Sequence, residues 1–204
     1  VVINALTERK GVKTALITTK GFRDVLEIAR GNRPDFFNLQ YRKPDAFIPR
    51  HLRYEITERL SYNGDVISPL AISELEPLLT NMQKEGVQAI AVCLLHSYAN
   101  PEHEQAIADY IATHWPEVTV VTSHQISREW REYERTNTAA LCAYVQPIAA
   151  QYLAKMEEAL DERGFDGKFY VMQSNGGIDT VESVKKTPIS IVESGPASGV
   201  LGAA

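Results

Sequence analysis

Apolar positions follow two kinds of pattern along this chain. Short runs rich in β-branched residues, such as 12–19 and 87–95, have the length and composition of buried strands. Stretches such as 73–85 and 101–114 have the spacing or end signals of helices, and the first ends at Gly86, which favours a left-handed helix end. Because strands and helices alternate, the sequence predicts an α/β fold with a mostly parallel sheet and helices on both faces.

Turn signals and a proline divide the rest of the chain. Asn63-Gly64 favours a tight turn, so the segments 54–60 and 66–67 are predicted to form a β-hairpin. Residues 127–164 are predicted to be helical, with a break or a new start at Pro147. The remaining predicted elements are a helix at 25–30, a long surface loop at 31–50, strands at 118–122, 168–172 and 189–192, and a short helix at 180–185.

The predicted secondary structure changes near His124, from segments rich in strands to a long helix. This change predicts a boundary that separates residues 1–124 from residues 125–204. The chain opens at Val1 without an initiator methionine, and it stops at Ala204 just after a helix is predicted to begin. We therefore expect an internal fragment of a longer protein, which would lack complete activity by itself.

Charge and composition narrow the class of protein. The 21 basic residues are scattered and the net charge is -5, so the basic surface of a nucleic-acid binder is missing. No apolar run approaches the roughly 18 residues that span a bilayer, and no signal peptide is recognisable, so we expect a cytoplasmic protein without a membrane segment. Cys93 and Cys142 lie in apolar or helical patterns and are predicted to be buried thiols.

Two glycine-containing polar segments carry the clearest binding signals. Residues 193–199 lie between a predicted strand and a predicted helix, where backbone N–H groups and the helix dipole favour phosphate. Residues 173–177 form a second turn at a strand end, where ligands collect in open α/β sheets. A purely structural turn is the alternative interpretation of both segments.

Charged and histidine side chains give weaker signals. The segment 128–136 is dense in charged and aromatic residues, and ion pairs on a solvated helix face explain that pattern without any function. His96 follows a buried strand, which is a common position for a site residue. His96 and His103 match no common metal-ligand spacing, so no metal site is predicted from the histidines.

Several motifs, in this order, resemble the family of hydantoinase A and 5-oxoprolinase, which also includes acetone and acetophenone carboxylase subunits. The resemblance covers essentially the whole chain. The motifs are Asn4 to Gly11, Thr18 to Asp24, Arg30 to Pro34, Leu95 to Pro101, Arg131 to Arg135, Met172 to Gly177 and Glu193 to Val200.

The resemblance implies a ribonuclease-H-like, actin-like ATPase fold of the sugar kinase, Hsp70 and actin superfamily. It implies ATP and Mg²⁺ as cofactors, and phosphoryl transfer that activates the carbonyl of a cyclic amide such as hydantoin, N-methylhydantoin or 5-oxoproline. It also implies a second, hydantoinase B-like subunit. The family's Asp-x-Gly-Gly-Thr-x-Thr-Asp phosphate motif is absent, and its usual place would precede Val1.

The resemblance carries over to individual residues as follows. The expected cofactor-binding residues are Asn175, Gly176, Gly177, Ser194, Gly195, Pro196, Ala197, Ser198 and Gly199. The candidate catalytic residues, to which no step is assigned, are His96, Arg131, Glu132 and Arg135.

Two alternatives to the cyclic amidase stay open. One is an ATP-dependent ketone carboxylase subunit acting on acetone or acetophenone, which no residue of this chain separates from the amidase. The other is an inactive module that presents a surface to a second subunit. The aromatic, proline-rich loop 31–50 motivates this last hypothesis, because exposed aromatic side chains often anchor interfaces.

Overall fold

The computed structural model of the chain describes residues 1–32 and 35–203. Arg33 and Pro34 of the predicted loop therefore lie outside the described residues. Two compact units make up the fold. We call them the sheet unit, Lys13–Ala140, and the hairpin unit, which combines Val1–Val12 with the chain from Leu141 onward.

Four parallel strands form the centre of the sheet unit, in the order β2-β1-β5-β6. Every residue of β1 and of β5 is buried, so both faces of these two strands are covered. This arrangement confirms the α/β prediction with a mostly parallel sheet. The strands are β1 (Thr14–Thr19), β2 (Arg53–Ile56), β5 (Ala89–Cys93) and β6 (Thr119–Thr122).

The strand order creates a switch point between β1 and β5. From β1 the chain moves outward to β2 on one side, and later strands are added on the other side, beginning with β5. In open parallel sheets, ligands bind beyond the carboxyl ends of the strands at such a point. Here those ends are the residues that follow Thr19 and Cys93.

Helices connect the strands of the sheet unit. Leu75, Leu79 and Met82 form the buried stripe of α3, and Gly86 beyond its end has φ +69°, as the sequence predicts. The remaining elements are α2 (Val25–Ile28), α3 (Leu75–Lys84), α4 (Glu102–His114), α5 (Ser123–Ile126), the hairpin of β3 (Arg59–Leu60) with β4 (Val66–Ser68), and 3-10 turns at Arg50–Leu52 and Ile72–Glu74.

A small antiparallel hairpin organises the other unit. Leu153, Val181 and Val184 form its core, and Phe169, Val171 and Ile191 pack against them. The elements are α1 (Val2–Thr7), the part of α6 (Glu132–Glu162) that follows Ala140, β7 (Tyr170–Met172), β8 (Ile178–Thr180), α7 (Val181–Lys186), a 3-10 turn at Pro188–Ile191 and α8 (Ser194–Ala203).

Three predicted elements are wrong in detail. The predicted strand 54–60 is divided, because β2 joins the parallel sheet while β3 alone pairs with β4. The segment 189–192 is a 3-10 turn and not a strand. Consequently the segment 193–199 is not a loop between a strand and a helix, since α8 already begins at Ser194.

Pro147 does not break the long helix, contrary to the prediction. Helix α6 runs from Glu132 to Glu162 through the proline. A proline inside a helix removes one N–H donor and crowds the preceding turn. The N–H of Val12 donates to the carbonyl of Tyr144 at 3.0 Å, which gives a helix carbonyl near the proline a partner from outside the helix.

Other features of the described residues bear on the class of protein. No helix among them is long and apolar enough to cross a membrane. They contain no cluster of three or more histidine, cysteine or acidic residues that could hold a metal ion. Both cysteines are buried free thiols, as predicted. In the predicted surface loop, Phe36, Phe37 and Leu39 are 75%, 96% and 90% exposed.

Candidate functional site

A fully buried carboxylate fixes the carboxyl end of β5. Glu104 of α4 accepts hydrogen bonds from the backbone N–H of Leu94 at 2.8 Å and from the hydroxyl of Ser123 at 2.6 Å. It also pairs with His124, through the backbone N–H at 3.0 Å and ring Nδ1 at 2.8 Å. A buried charge is tolerated only when it is paired and hydrogen-bonded in this way.

The buried guanidinium of Arg135 completes the same network. It donates to the carbonyl of Leu94 at 2.7 Å, to the carbonyl of Glu129 at 2.7 Å and to the hydroxyl of Ser123 at 3.2 Å. Leu94 therefore has its N–H held by Glu104 and its carbonyl held by Arg135. The side chain is 1% exposed, so Arg135 positions the backbone beside His96 and is not open to solvent.

A second buried carboxylate holds the end of β1. The hydroxyl of Thr19 donates to Glu58 and accepts the backbone N–H of Leu95 at 2.9 Å. Glu58 also pairs with ring Nδ1 of His103 at 2.8 Å. The carboxyl ends of β1 and β5 are thus bonded to each other through a side chain, directly at the switch point.

His96 lies at this switch point in an unusual backbone conformation. Its φ is +61°, in the left-handed region that few residues other than glycine occupy, although asparagine, aspartate and histidine enter it more often than the rest. Its ring Nδ1 is 3.2 Å from the hydroxyl of Tyr98. Burial lowers the pKa of His96, and among the nearby charges Glu132 opposes this shift most strongly. The ring therefore lies within electrostatic reach of Glu132.

A cavity of about 270 Å³ opens between the segment that follows β1 and the start of α6. The half-buried side chain of Glu132, in the first turn of α6, lies at its edge. Arg131 is not among the residues that line this cavity; its side chain is exposed and its guanidinium lies 5.2 Å from the centroid of the Trp130 ring. The cavity is lined by Gly21, Phe22, Asp24, Val25, Ile28, Ala29, Glu132 and Tyr133.

In the hairpin unit, the predicted Asn-Gly-Gly turn connects β7 to β8. The N–H of Gln173 donates to the carbonyl of Gly177 at 2.7 Å, and the N–H of Gly177 donates to Oδ1 of Asn175 at 2.8 Å. Gly176 has φ +84°, which only a residue without Cβ adopts readily. The turn is tight and its asparagine is exposed.

Ser174 joins this turn to the beginning of α8. Its hydroxyl accepts the backbone N–H of Glu193 at 3.0 Å and donates to the carbonyl of Ser190 at 2.8 Å. Its own N–H also donates to the Ser190 carbonyl at 2.8 Å. The structure therefore brings the two predicted glycine-containing segments together, although the sequence analysis assigned no role to this serine.

The first turns of α8 are open to solvent. Gly195, Pro196, Ser198 and Gly199 are exposed, and a Cβ built on either glycine would meet no atom within 4 Å. Ser194, Gly195 and Pro196 also line a mostly apolar cavity of about 430 Å³ within the hairpin unit. The segment is helical, and its first turns are accessible.

Two family models match the chain. The hydantoinase/oxoprolinase N-terminal region matches residues 1–115, and the hydantoinase/oxoprolinase model matches residues 135–204. The chain belongs to the hydantoinase/oxoprolinase family. The first match alone covers more than half of the sequence, so the resemblance of the motifs is confirmed. The predicted boundary at residue 124 lies between the two matched regions and stays a prediction.

Similar proteins in this family include enzymes of two kinds. An uncharacterized protein of Methanocaldococcus jannaschii is 43% identical over 94% of this chain and 28% of its own length. The caprolactamase subunit alpha of Pseudomonas jessenii is 33% identical, over 97% and 29% respectively. The acetophenone carboxylase gamma subunit of Aromatoleum aromaticum is 32% identical, over 100% and 29%. The chain thus spans less than a third of the length of these relatives.

A solved structure has the same fold. The crystal structure of the ATP-dependent caprolactamase from Pseudomonas jessenii superposes with a TM-score of 0.90 and 32% identity. The match covers 97% of this chain and 29% of the caprolactamase chain. The fold of this chain is therefore that of the matching part of the caprolactamase chain.

Proposed function

We propose that this chain is part of an ATP-dependent enzyme that hydrolyses a cyclic amide by activating its carbonyl through phosphoryl transfer. The observation that carries the proposal is the likeness, over 97% of the chain, to a structure described as an ATP-dependent caprolactamase. Hydantoin, N-methylhydantoin, 5-oxoproline and simple lactams are the substrate types in question. We propose a cytoplasmic enzyme, because ATP is its co-substrate.

The hairpin unit supplies the nucleotide-binding part of this proposal. The first turn of a helix has N–H groups without intrahelical partners, and its dipole favours anions. In α8 this turn begins at Ser194 and Gly195, and Gly195 has open space where a side chain would otherwise stand. Ser174 holds the turn at 175–177 next to it. These residues fit a phosphate group that approaches the backbone closely.

The described residues offer fewer candidate ligands for Mg²⁺ than for the phosphate groups of ATP. They contain no cluster of three acidic, histidine or cysteine side chains. Mg²⁺ often keeps several waters and binds through one or two carboxylates and the substrate phosphates. We therefore propose that Mg²⁺ enters with ATP, without a dedicated cage from the described residues. When bound, ATP would supply the phosphoryl group that activates the carbonyl.

The residues at the switch point have the second role in the proposal. His96 and Glu132 are partly exposed polar groups in this region. The buried Arg135 donates to the Leu94 carbonyl and so positions the backbone that leads to His96. We keep His96 and Glu132 as candidate catalytic residues and treat Arg135 as a positioning residue. Arg131, which points to solvent beside Trp130, is the weakest of the four candidates.

A ketone carboxylase is the second candidate function. The acetophenone carboxylase gamma subunit is 32% identical over the whole chain, nearly the same as the caprolactamase subunit. The two reactions differ in their requirement for bicarbonate. ATP consumption that depends on bicarbonate and acetone or acetophenone would favour the carboxylase, and ATP consumption with a lactam or hydantoin alone would favour the amidase.

A partner subunit is part of the proposal in either case. The relatives named above include proteins described as subunits alpha and gamma. We propose a second subunit of the hydantoinase B type for this protein as well. The exposed side chains of Phe36, Phe37 and Leu39 are a candidate contact for it, since exposed aromatic groups anchor many interfaces. If the isolated chain bound no nucleotide, a purely structural module would be favoured.

The decisive experiment is a pair of glycine substitutions in the whole protein. Gly195→Ala would place a methyl group in the space proposed for phosphate, while alanine favours the helix over glycine. We expect ATP affinity to fall about tenfold or more, with the fold retained. Gly202→Ala is the matched control, because Gly202 lies in the same helix and is equally open.

Calorimetric titration of ATP with Mg²⁺, together with the rate of ADP formation, measures both variants. Equal affinity for ATP in wild type and Gly195→Ala would remove α8 from the nucleotide site. Absence of ATP turnover by the whole protein with hydantoins, lactams, 5-oxoproline and the two ketones would overturn the proposed function.

A further inference from the structure

We propose that the cavity between the segment that follows β1 and the start of α6 binds the ring of a neutral cyclic amide, and that Glu132 accepts a hydrogen bond from its ring N–H. The proposal rests on the proposed function, because it assumes a substrate with an amide or imide N–H. It assigns the recognition of that ring to the sheet unit alone.

The shape and lining of the cavity suit a small ring. Phe22, Val25, Ile28 and Ala29 supply apolar surface, and Gly21 lets the backbone approach a ligand closely. The volume of about 270 Å³ lies just below the range of roughly 300–1,000 Å³ that is usual for larger, drug-sized ligands. A ring of five to seven atoms is therefore a better match than a nucleotide.

Glu132 is the acidic residue at this cavity whose side chain has no hydrogen bond or ion pair within the described structure. The other lining acid, Asp24, is paired with Arg50 through two hydrogen bonds of 2.8 and 2.9 Å. The neighbouring Glu134 is paired with Arg30. A carboxylate that has no protein partner can accept a hydrogen bond from a ligand N–H.

The surroundings hold Glu132 and Phe22 in place. Arg135, three residues further along α6, is bonded to the backbone of Leu94 and Glu129 and to Ser123, which fixes the start of the helix. The guanidinium of Arg59 lies 5.0 Å from the centroid of the Phe22 ring. A site whose walls are fixed in this way loses little conformational freedom when a ligand binds.

The chemistry of the lining selects among ring compounds. A carboxylate acceptor favours a ligand with an N–H donor and disfavours a carbocyclic ketone or an N-alkylated lactam, which leave it unpaired. It also disfavours an anionic ring whose carboxylate would face Glu132. The favoured class is a neutral lactam or cyclic imide.

The test uses calorimetric titration of the whole protein, with and without a non-hydrolysable ATP analogue. The ligands are 2-pyrrolidone, ε-caprolactam and N-methyl-2-pyrrolidone. We expect the first two to bind and the N-methyl compound to bind about tenfold or more weakly than 2-pyrrolidone. Glu132→Ala should abolish this difference by weakening only the N–H lactams.

Two further variants guard against a purely structural effect. Glu132→Gln keeps a carbonyl acceptor without the charge, so it should retain part of the affinity that Glu132→Ala loses. Glu129→Ala removes an exposed carboxylate three residues away that does not line the cavity, and it should bind like wild type.

Three results would overturn the proposal. They are equal affinity for 2-pyrrolidone and its N-methyl form, unchanged lactam affinity in a folded Glu132→Ala, or no lactam binding under either nucleotide condition. ATP turnover with the same substrates is measured separately, so failure of this cavity assignment is distinguishable from failure of the proposed ATP-dependent reaction.

Discussion

The two units of this chain hold their candidate site residues in opposite ways. In the sheet unit, Glu104, Glu58 and Arg135 are buried, and each bonds to several neighbours around the ends of β1 and β5. In the hairpin unit, the first turns of α8 are exposed and have open space around their glycines. One hydroxyl, that of Ser174, connects them to the β7–β8 turn.

This contrast separates stability from binding. A buried polar network is costly to disturb, because each lost partner leaves another polar group unpaired. An open glycine in a helix can be changed at little cost to folding, so its replacement reports on what approaches it. Substitutions in the buried network around Glu104 and Arg135 should therefore act first on the free energy of unfolding, and substitutions in α8 on ligand affinity.

The largest expected effect comes from Glu104→Ala. The change leaves the Leu94 N–H, Ser123 and His124 without their acceptor and removes one partner from a buried charged network. We expect the free energy of unfolding to fall by about 3–5 kcal/mol, measured by urea unfolding. Glu102→Ala, an exposed acid in the same first turn, should cost less than about 1 kcal/mol. Similar losses in both variants would contradict the stabilising role assigned to the buried network around Glu104.

The next effect concerns the backbone at His96. A β-branched residue is strained at φ +61°, so His96→Val should cost about 1–3 kcal/mol, whereas His96→Asn should be tolerated because asparagine enters the left-handed region more readily. Thermal or urea unfolding at pH 7.5 measures both. Equal destabilisation by the two substitutions would show that the strained backbone is not the cause.

His96 also predicts a dependence of stability on pH. Burial lowers its pKa in the folded protein, so the unfolded chain binds the proton first on acidification. The stability that the neutral His96 contributes is fully present above the ordinary histidine pKa of about 6.5. It is lost as the pH falls through that value toward the lower pKa of the folded protein. Between pH 7.5 and 5.5, wild type should lose more stability than His96→Asn. A smaller loss of stability in wild type than in His96→Asn would contradict a lowered pKa of His96 in the folded protein.

A smaller effect is expected for Ser174→Ala. The hydroxyl would no longer donate to the Ser190 carbonyl of the 3-10 turn or accept the Glu193 N–H just before α8, at a cost of about 0.5–1.5 kcal/mol. If the two segments act together on phosphate, the affinity for ATP should also fall. Ser198→Ala, which removes only a hydroxyl bonded to the Gly195 carbonyl, serves as the control for stability. Unchanged ATP affinity in Ser174→Ala would separate the turn from the nucleotide site.

The smallest expected effect concerns the rates at which the buried thiols of Cys93 and Cys142 are alkylated. Burial raises the pKa of Cys142 to about 12 and raises that of Cys93, so both thiols should react with alkylating reagents only after local opening. Glu104→Ala should accelerate the modification of Cys93 in β5 and leave Cys142 of the hairpin unit nearly unchanged. Mass spectrometry after timed alkylation measures both, and equal acceleration would indicate that the units open together.

Much of the fold was predictable because its signals are local. The runs that form β1 and β5 are apolar over a strand's length, and Gly86 ends α3 as the sequence indicates. Two local signals misled the prediction. Pro147 favours a break, but α6 continues through it. The apolar segment 189–192 suits a strand, yet it folds as a 3-10 turn.

The candidate site was predictable only in part. His96 and Glu132 stand at sequence positions that suggested a role, and the glycine segments follow recognisable motifs. Glu104 was indistinguishable from an ordinary first-turn acid on α4, and His103 and His124 carried no signal that each pairs with a buried glutamate. No sequence signal showed that the hydroxyl of Thr19 accepts the N–H of Leu95, which lies 76 residues further along the chain.

The sequence by itself determined the family, the alternation of strands and helices, and the type of residue available at each strand end, since these depend on neighbouring positions and short motifs. The tertiary structure decided which carboxylates are buried and satisfied, that the Glu132 side chain has no hydrogen bond or ion pair among the described residues, and that Ser174 joins two separate segments. Those properties arise from contacts between residues far apart along the chain, which local patterns do not encode.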